Sequence, residues 1–406
     1  MMDITQVWEE LAWQHGGKIV YLILDGLGGI PDAAHGGKTE LQVAHTPNLD
    51  AIAKQSSCGL LDMVGTGITP GSGPGHLTLF GYNPLTYRIG RGVLSALGIE
   101  FDLQEGDVAA RVNFATVGEN GEVRDRRAGR IETDLNQQLC EKIRDKVSLD
   151  FEGTFFFETV SEHRAVFVLR GEGLSGALRD TDPQATGRPP LEVQGQAEGA
   201  EKTVELVRSF LDQVHQVLAD EQPANAILMR GFERYQALPS LQERFGLRGV
   251  CIADYPMYRG VSRLIGMDVL PRPGGMEQRF KALEACYGDE YDFYFLHVKK
   301  TDSKGEDADF DGKVHLLEEI DRLVPMITQL QPDVLVVTSD HSTPATMGQH
   351  SWHPVPVMLQ SKLSRVDQAD CFDEFACIMG ALGQRPGLDI MGLALAHAQR
   401  LRKFGA

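Results

Sequence analysis

Three short apolar runs in this chain each lead to an acidic residue, and that pattern limits the fold more than any other feature. KIVYLILDGLGG carries Ile19–Leu24 into Asp25, FYFLHVKKTDSKGED carries Phe293–Val298 toward Asp302, and DVLVVTSDHS carries Val334–Val337 toward Asp340 and His341. Each run is nearly continuous and rich in β-branched or aromatic residues. That is the signature of a strand covered on both faces in a parallel sheet. Helical patterns lie between: Thr46–Lys54, Val204–Leu218, Met276–Tyr287, Lys313–Leu330 and Glu374–Leu382. In the second, Val204, Val207, Leu211, Val214 and Leu218 recur at steps of three and four, an apolar stripe. Thr46 reads as the N-cap of the first, with Pro47 at N1. Pro325 is expected to kink or divide the fourth.

Strands alternating with helices predict an open α/β sheet, in which ligands bind outside the carboxyl ends of the strands. A lone Asp after a strand is ordinarily a turn residue or a cap. Three at equivalent positions predict that the acidic ends meet at one edge. From about residue 105 to 220 the pattern changes to short alternating segments, DVAARVNFATV and TFFFETVSEHRAVFVLRG, and then a polar loop, DTDPQATGRPPLEVQGQAEGAE. This predicts an α+β unit with hairpins. The expected organisation is a discontinuous α/β catalytic domain, 1–105 with 222–406, carrying an inserted cap, 106–221. A chain of 406 residues accommodates this, at roughly 150 residues per domain.

The loop TPGSGPGH (Thr69–His76) excludes a Walker loop, since no Gly-Lys-Ser/Thr ending follows. It reads either as a flexible turn or as a device presenting Ser72 just before a helix N-terminus, where anions are favoured. No Ser-His-Asp spacing accompanies it, so a metal is the better activator of that serine. His341, His350 and His353 cluster in SDHSTPATMGQHSWHP. Histidines are more often structural, but two or three beside an Asp at a strand end suit Mn²⁺ or Zn²⁺. In the inserted unit, RDRRAGR carries Arg124, Arg126, Arg127 and Arg130, with His163, Arg164 and Arg179 beyond it. Such a cluster reads as phosphate or carboxylate recognition, or residue by residue as solvated surface charge.

The formal net charge of −18 argues against nucleic acid and anionic membrane as partners, and leaves a small anionic substrate bound by local arginines or a metal. Ile19–Leu24 is far too short to span a bilayer, and MMDITQVWEELAWQ lacks the regions of a signal peptide. Six scattered cysteines with no CxxC pair read as reduced thiols. A cytoplasmic location is therefore expected.

LDGLGG (24–29), HTPNLDAIA (45–53), PGSGPGH (70–76), GRGVLSALG (90–98), DRRAGRI (125–131), TDSKGED (301–307), SDHSTPA (339–345) and HSWHPVP (350–356) occur in one order along nearly the whole chain. Together they resemble the cofactor-independent phosphoglycerate mutases of the archaeal type, in the alkaline phosphatase superfamily. The resemblance implies an alkaline-phosphatase-like three-layer sandwich with a mostly parallel sheet and an inserted α+β cap. It implies two divalent ions, manganese foremost, with zinc or magnesium as alternatives. One would be held by Asp25, Ser72, Asp340 and His341; the other by Asp302, His350 and the residue four after Asp302. Relatives commonly have histidine at that last position, and this chain has Glu306. Glutamate ligates through oxygen and shifts preference toward Mn²⁺ or Mg²⁺. Otherwise Glu306 does not bind, and the second ion is weak or absent.

A second departure lies in YPMYRGVSR (255–263), where relatives place a catalytic lysine and this chain offers Arg259, followed by Arg263 as a further anion-binding candidate. Arginine can clamp a phosphate but cannot act as an acid or base. The implied reaction interconverts 3- and 2-phosphoglycerate through a phosphoserine at Ser72, with the cap holding the carboxylate and excluding water. Two rivals stand beside it. One is another metal-dependent phosphomutase or phosphohydrolase on the same fold. The other is a degenerate, non-catalytic protein that binds metal or phosphate.

Overall fold

A computed structural model, which describes residues 4–405, resolves the three apolar runs as neighbouring strands of one sheet. The strands in chain order are Ile19–Leu24 (β1), Ser57–Asp62 (β2), Val108–Val117 (β3), Val123–Asp125 (β4), Gly153–Ser161 (β5), Arg164–Gly171 (β6), Ala226–Arg234 (β7), Gly249–Ile252 (β8), Asp268–Val269 (β9), Phe293–Val298 (β10), Val334–Thr338 (β11), Val355–Ser361 (β12) and Gly383–Pro386 (β13). The chain separates into two units. Residues up to Arg88 and from Pro239 form the first, and Ile89–Leu238 the second.

The first unit is built on an eight-stranded sheet of order β13-β2-β12-β11-β1-β10-β8-β9. β1 lies between β11 and β10, parallel to both, with Ile19 opposite Val334 on one side and Phe293 on the other. The carboxyl ends of the three runs are therefore level. Only β12 runs against the other strands, pairing antiparallel with β11 and β2. All six residues of β1 are fully buried, because helices cover both faces. Val20, Leu22 and Leu24 join a core with Leu49 and Ile52 of helix Pro47–Ala53, Phe280 and Leu283 of helix Met276–Cys286, and Leu317 and Ile320 of helix Phe310–Thr328. On the other face, Tyr21 packs on Phe293, and Phe293 and Phe295 meet Phe80, the C-cap of helix Ser72–Leu79. No helix among the described residues is long and apolar enough to cross a membrane.

Four local expectations need correction. Thr46 occupies the N-cap position but makes no side-chain cap bond. The Asp321 carboxylate caps that helix instead, accepting from Asn48 N at 3.0 Å and Leu49 N at 2.8 Å. Pro325 does not end its helix, which runs on to Thr328. The carbonyl that proline orphans, Asp321 O, accepts from Asn48 Nδ2 at 3.1 Å. That helix also starts earlier, at Phe310, because Asp309 caps it by accepting from Gly312 N at 2.9 Å. The helix begun at Glu374 stops at Ile378, before the chain presses Gly380 against the Cys58 backbone and enters β13.

The second unit is an antiparallel sheet of order β4-β3-β6-β5, with β7 also paired to β3. Helices Thr133–Lys146 and Glu201–Leu218 pack on it around Phe114, Phe157, Phe167 and Phe210. Its limits are 89 and 238 rather than the expected 106 and 221. β7 belongs to it because it pairs with β3 from Val108–Arg234 to Ala115–Ala226. Helix Arg91–Gly98 belongs to it because Gly92 lies so close to β3 that a Cβ there would stand 2.3 Å from Ala109 O.

Candidate metal centre

The sheet edge explains which polar side chains meet. β1 ends at Asp25, and β11 leads to Asp340 and His341. β10 runs into helix Lys300–Glu306, which carries Asp302 in its first turn. Because β12 is antiparallel to β11, the connection between them returns to the same edge and carries His350 there. Ser72 opens helix Ser72–Leu79, one position further in than expected, with Gly71 as its N-cap.

His341 Nε2 stands 3.2 Å from Asp25 Oδ1, from Asp340 Oδ2 and from Ser72 Oγ alike. Asp25, Asp340 and His341 are fully buried. His350 stacks on His341 with ring centroids 3.6 Å apart, and its Nε2 lies 3.5 Å from Asp302 Oδ1. Among the described residues, Asp25, Asp340 and His341 form one tight group of potential metal donors, and Asp302, His341 and His350 the other. Glu306 is outside both; its side chain is 54% exposed, with Oε1 3.8 Å from His350 Nε2. His353 instead bonds Ser351 Oγ and stacks on Trp352.

Burial pushes the Asp25 carboxyl up, but Lys299, His297 and His341 outweigh it and hold it well below the usual carboxylate range. Burial and Asp25 push Asp340 up, and His341 and His76 prevail, so it too is held down. For His341, burial opposes the charged form while Asp340 and Asp25 raise the imidazole to about 9. Asp25 Oδ1 and Asp340 Oδ2 are buried without a hydrogen-bond donor. Two ionised carboxylates with such oxygens, a hydroxyl and an imidazole nitrogen around one point fit a divalent cation. Oxygen donors with imidazole suit Mn²⁺, Mg²⁺ or Zn²⁺.

Several residues at this edge escaped the sequence reading. Lys299 Nζ bonds Asp302 and lies 3.4 Å from Asp25 Oδ2. The Tyr258 hydroxyl, buried in helix Pro256–Leu264, donates to Asp25, and burial followed by the Asp25 charge pushes its pKa well up. His297 Nε2 is 3.5 Å from Asp25 Oδ2, and burial pushes that imidazole down to about 4. Thr343 Oγ1 donates to Asp302 Oδ1 at 2.6 Å and stands 3.0 Å from His341 Nδ1. A histidine inside the apolar run FYFLHV was the signal that could have found His297. Arg259 is buried, and its Nη1 donates to Ala253 O and Leu270 O at 3.2 and 2.6 Å, which ties the chain around helix Pro256–Leu264. Arg263 is half-buried on that helix.

In the second unit, His163 is buried, and burial together with Arg164, Arg111, Arg127 and Arg130 pushes its imidazole down to about 3. Arg127 and Arg130 are exposed, and Arg164 pairs with Glu162 at 3.2 Å. Arg126 is held by both oxygens of Asp182, at 2.8 and 2.7 Å. Arg179 is exposed, and Arg124 pairs with Glu122 at 3.2 Å.

A family profile described as 2,3-bisphosphoglycerate-independent phosphoglycerate mutase matches residues 53–225. A probable 2,3-bisphosphoglycerate-independent phosphoglycerate mutase of Thermus thermophilus is 48% identical over 408 residues, covering all of both chains. A protein of Aquifex aeolicus with the same name is 46% identical, again over all of both. Among solved structures, a Pyrococcus horikoshii protein matches with a TM-score of 0.83 and 29% identity, over 96% of this chain and 100% of its own. A cofactor-independent phosphoglycerate mutase of Thermoplasma acidophilum matches with a TM-score of 0.67 and 28% identity, over 94% and 100%.

Proposed function

Because this chain belongs to the 2,3-bisphosphoglycerate-independent phosphoglycerate mutases, we propose that it interconverts 3- and 2-phosphoglycerate through a phosphoserine at Ser72, beside two divalent ions. Asp25, Ser72, Asp340 and His341 are assigned to the first ion, and Asp302, His350 and Glu306 to the second, with manganese best suited to these donors. The observation that carries this reading is the approach of Ser72 Oγ and two donor-free carboxylate oxygens to His341 Nε2, each at 3.2 Å. When bound, such ions lower the pKa of a coordinated hydroxyl and offset charge on phosphoryl oxygens.

The chain's own residues supply the remainder. Ser72 opens a helix, where N–H groups without intrahelical partners favour a phosphoryl anion. Its Oγ forms the new P–O bond as the bond from phosphorus to substrate O3 breaks. The serine gives up its proton and glycerate O3 takes one up. In the return transfer O2 loses a proton, accepts the phosphoryl group, and Ser72 regains its hydroxyl. Lys299 brings a permanent positive charge to the same place, because Asp25 and Asp302 beside its half-buried ammonium outweigh desolvation and hold its pKa far above the working range. With the Nε2 lone pair turned toward the ion, the N–H of His341 is on Nδ1 and donates a hydrogen bond to Thr343 Oγ1, which in turn donates to Asp302 and orients it. Anion recognition is assigned to Arg127, Arg130 and Arg164 around His163, with Arg126, Arg179 and Arg263 as further candidates.

The test is to incubate metal-free protein with Mn²⁺ and 3-phosphoglycerate and separate the products by chromatography. Accumulation of 2-phosphoglycerate supports the mutase. Inorganic phosphate as the only product would assign the chain to the phosphohydrolases, and no turnover with Mn²⁺ bound would make it a binding protein.

A further inference from the structure

A second cation lies next to the metal centre, and the chain itself supplies it. Lys313, on helix Phe310–Thr328, is fully buried. Its Nζ donates to Gly26 O and Thr343 O, both at 2.9 Å, and reaches Gly28 O at 3.5 Å. Glu40 Oε1 stands 3.6 Å away and accepts the N–H of Ala345 at 2.8 Å. An ammonium has three N–H donors and no acceptor. Here it fills a cage of oxygens drawn from two loops.

Those loops carry the assigned ligands. Gly26 follows Asp25, and Thr343 lies two residues past His341 and bonds Asp302. Their crossing is close: a Cβ on Gly26, whose φ is +66°, would stand 2.6 Å from Thr343 Oγ1 and 2.8 Å from Asp302 Cα. A Cβ on Gly305 would stand 2.2 Å from Thr343 O. Glu374 extends the network, accepting from Gly29 N and Thr39 Oγ1, both at 2.7 Å. Burial holds its carboxyl up to about 7, so the surroundings of one lysine need not carry two full negative charges.

Burying an ammonium is costly, and an apolar side chain often gives equal or greater stability in such a place. What an apolar side chain cannot do is hold carbonyl dipoles that point at one another. We infer that Lys313 is a positioning residue for the metal centre. Its ammonium pins the Gly26–Gly28 segment to the Thr343–Ala345 segment and so presets the spacing of Asp25, His341 and Asp302 before an ion arrives. This rests on the metal reading proposed above.

The experiment titrates metal-free protein with Mn²⁺, following free ion by electron paramagnetic resonance, alongside thermal unfolding and activity. Four proteins are compared: wild type, Lys313→Met, the double variant Lys313→Met with Glu40→Gln, and Leu317→Ala. The double variant avoids leaving a buried carboxylate unpaired and serves if the single one does not fold. Leu317 is fully buried on the same helix, so its truncation lowers stability without touching the cage. The Lys313 variants are expected to bind Mn²⁺ about 10–100-fold more weakly, with activity recovering as Mn²⁺ is raised. Leu317→Ala is expected to melt earlier and bind Mn²⁺ as wild type does. Wild-type affinity in the double variant, or equal weakening in Leu317→Ala, overturns the positioning role. Failure of the wild type to bind Mn²⁺ overturns the metal reading itself, and this inference with it.

Discussion

At the scale of single residues, the account depends on Ser72 and on the donors around it. Replacing Ser72 by Ala is expected to lower mutase turnover by about a thousandfold or more, while Mn²⁺ still binds through Asp25, Asp340 and His341. Steady-state assays with a parallel metal titration check both halves. Glu306 is a sharper case, since it stands beside His350 with an exposed carboxylate. As the third donor assigned to the second ion, Glu306 is expected on change to Ala to weaken one Mn²⁺ of two by about tenfold or more and leave the other unchanged. Equal affinities in variant and wild type would remove Glu306 from the site. That Asp25, Asp302, Asp340 and His341 meet at one sheet edge was legible because charge at the end of an apolar strand is conspicuous. Lys299 and Tyr258 were not, for a physical reason. A lysine in a charged turn looks solvated, and a tyrosine in a helix looks like core, until the fold brings a carboxylate against each.

At the scale of elements, continuous apolar runs identified β1, β10 and β11, but not their order in the sheet. Adjacency depends on pairing across hundreds of residues, which local pattern does not encode. The same limit explains Thr46 and Pro325, because both are answered from a distant helix by Asp321 and Asn48. Asp321→Ala is expected to cost about 1–3 kcal/mol, seen as a lower thermal midpoint, since two backbone N–H groups of helix Pro47–Ala53 lose their acceptor. In the second unit, His163 has a folded pKa of about 3 against about 6.5 unfolded. The unfolded chain then binds more protons between those values. The stability this represents is present above about pH 6.5 and is lost as pH falls toward 3. Hydrogen exchange of the β6 amides at pH 7 and pH 5 is expected to show acid weakening in wild type and less of it in His163→Gln. Equal weakening in both would assign the acid sensitivity to other groups.

At the scale of the whole molecule, the two-part organisation was legible and its limits were not. Composition changes near residue 105, whereas the unit begins at Ile89, because helix Arg91–Gly98 packs on a strand that follows it in sequence. The net charge of −18 argued against nucleic acid and anionic membrane as partners but said nothing of a buried cluster of carboxylates that itself suits a cation. Chelation is expected to lower the thermal midpoint of the first unit, and added Mn²⁺ to restore it. Ion at a hundred times its dissociation constant contributes about 2.7 kcal/mol. An unchanged midpoint in scanning calorimetry would count against a structural hold on the ion. The most direct test of the central claim is to quench the Mn²⁺-loaded protein during turnover of 3-phosphoglycerate and map phosphorylation by peptide mass spectrometry. The account predicts phosphate on Ser72, appearing with 2-phosphoglycerate and absent from Ser72→Ala. Turnover to 2-phosphoglycerate with Ser72 unmodified, or undiminished in Ser72→Ala, would contradict it.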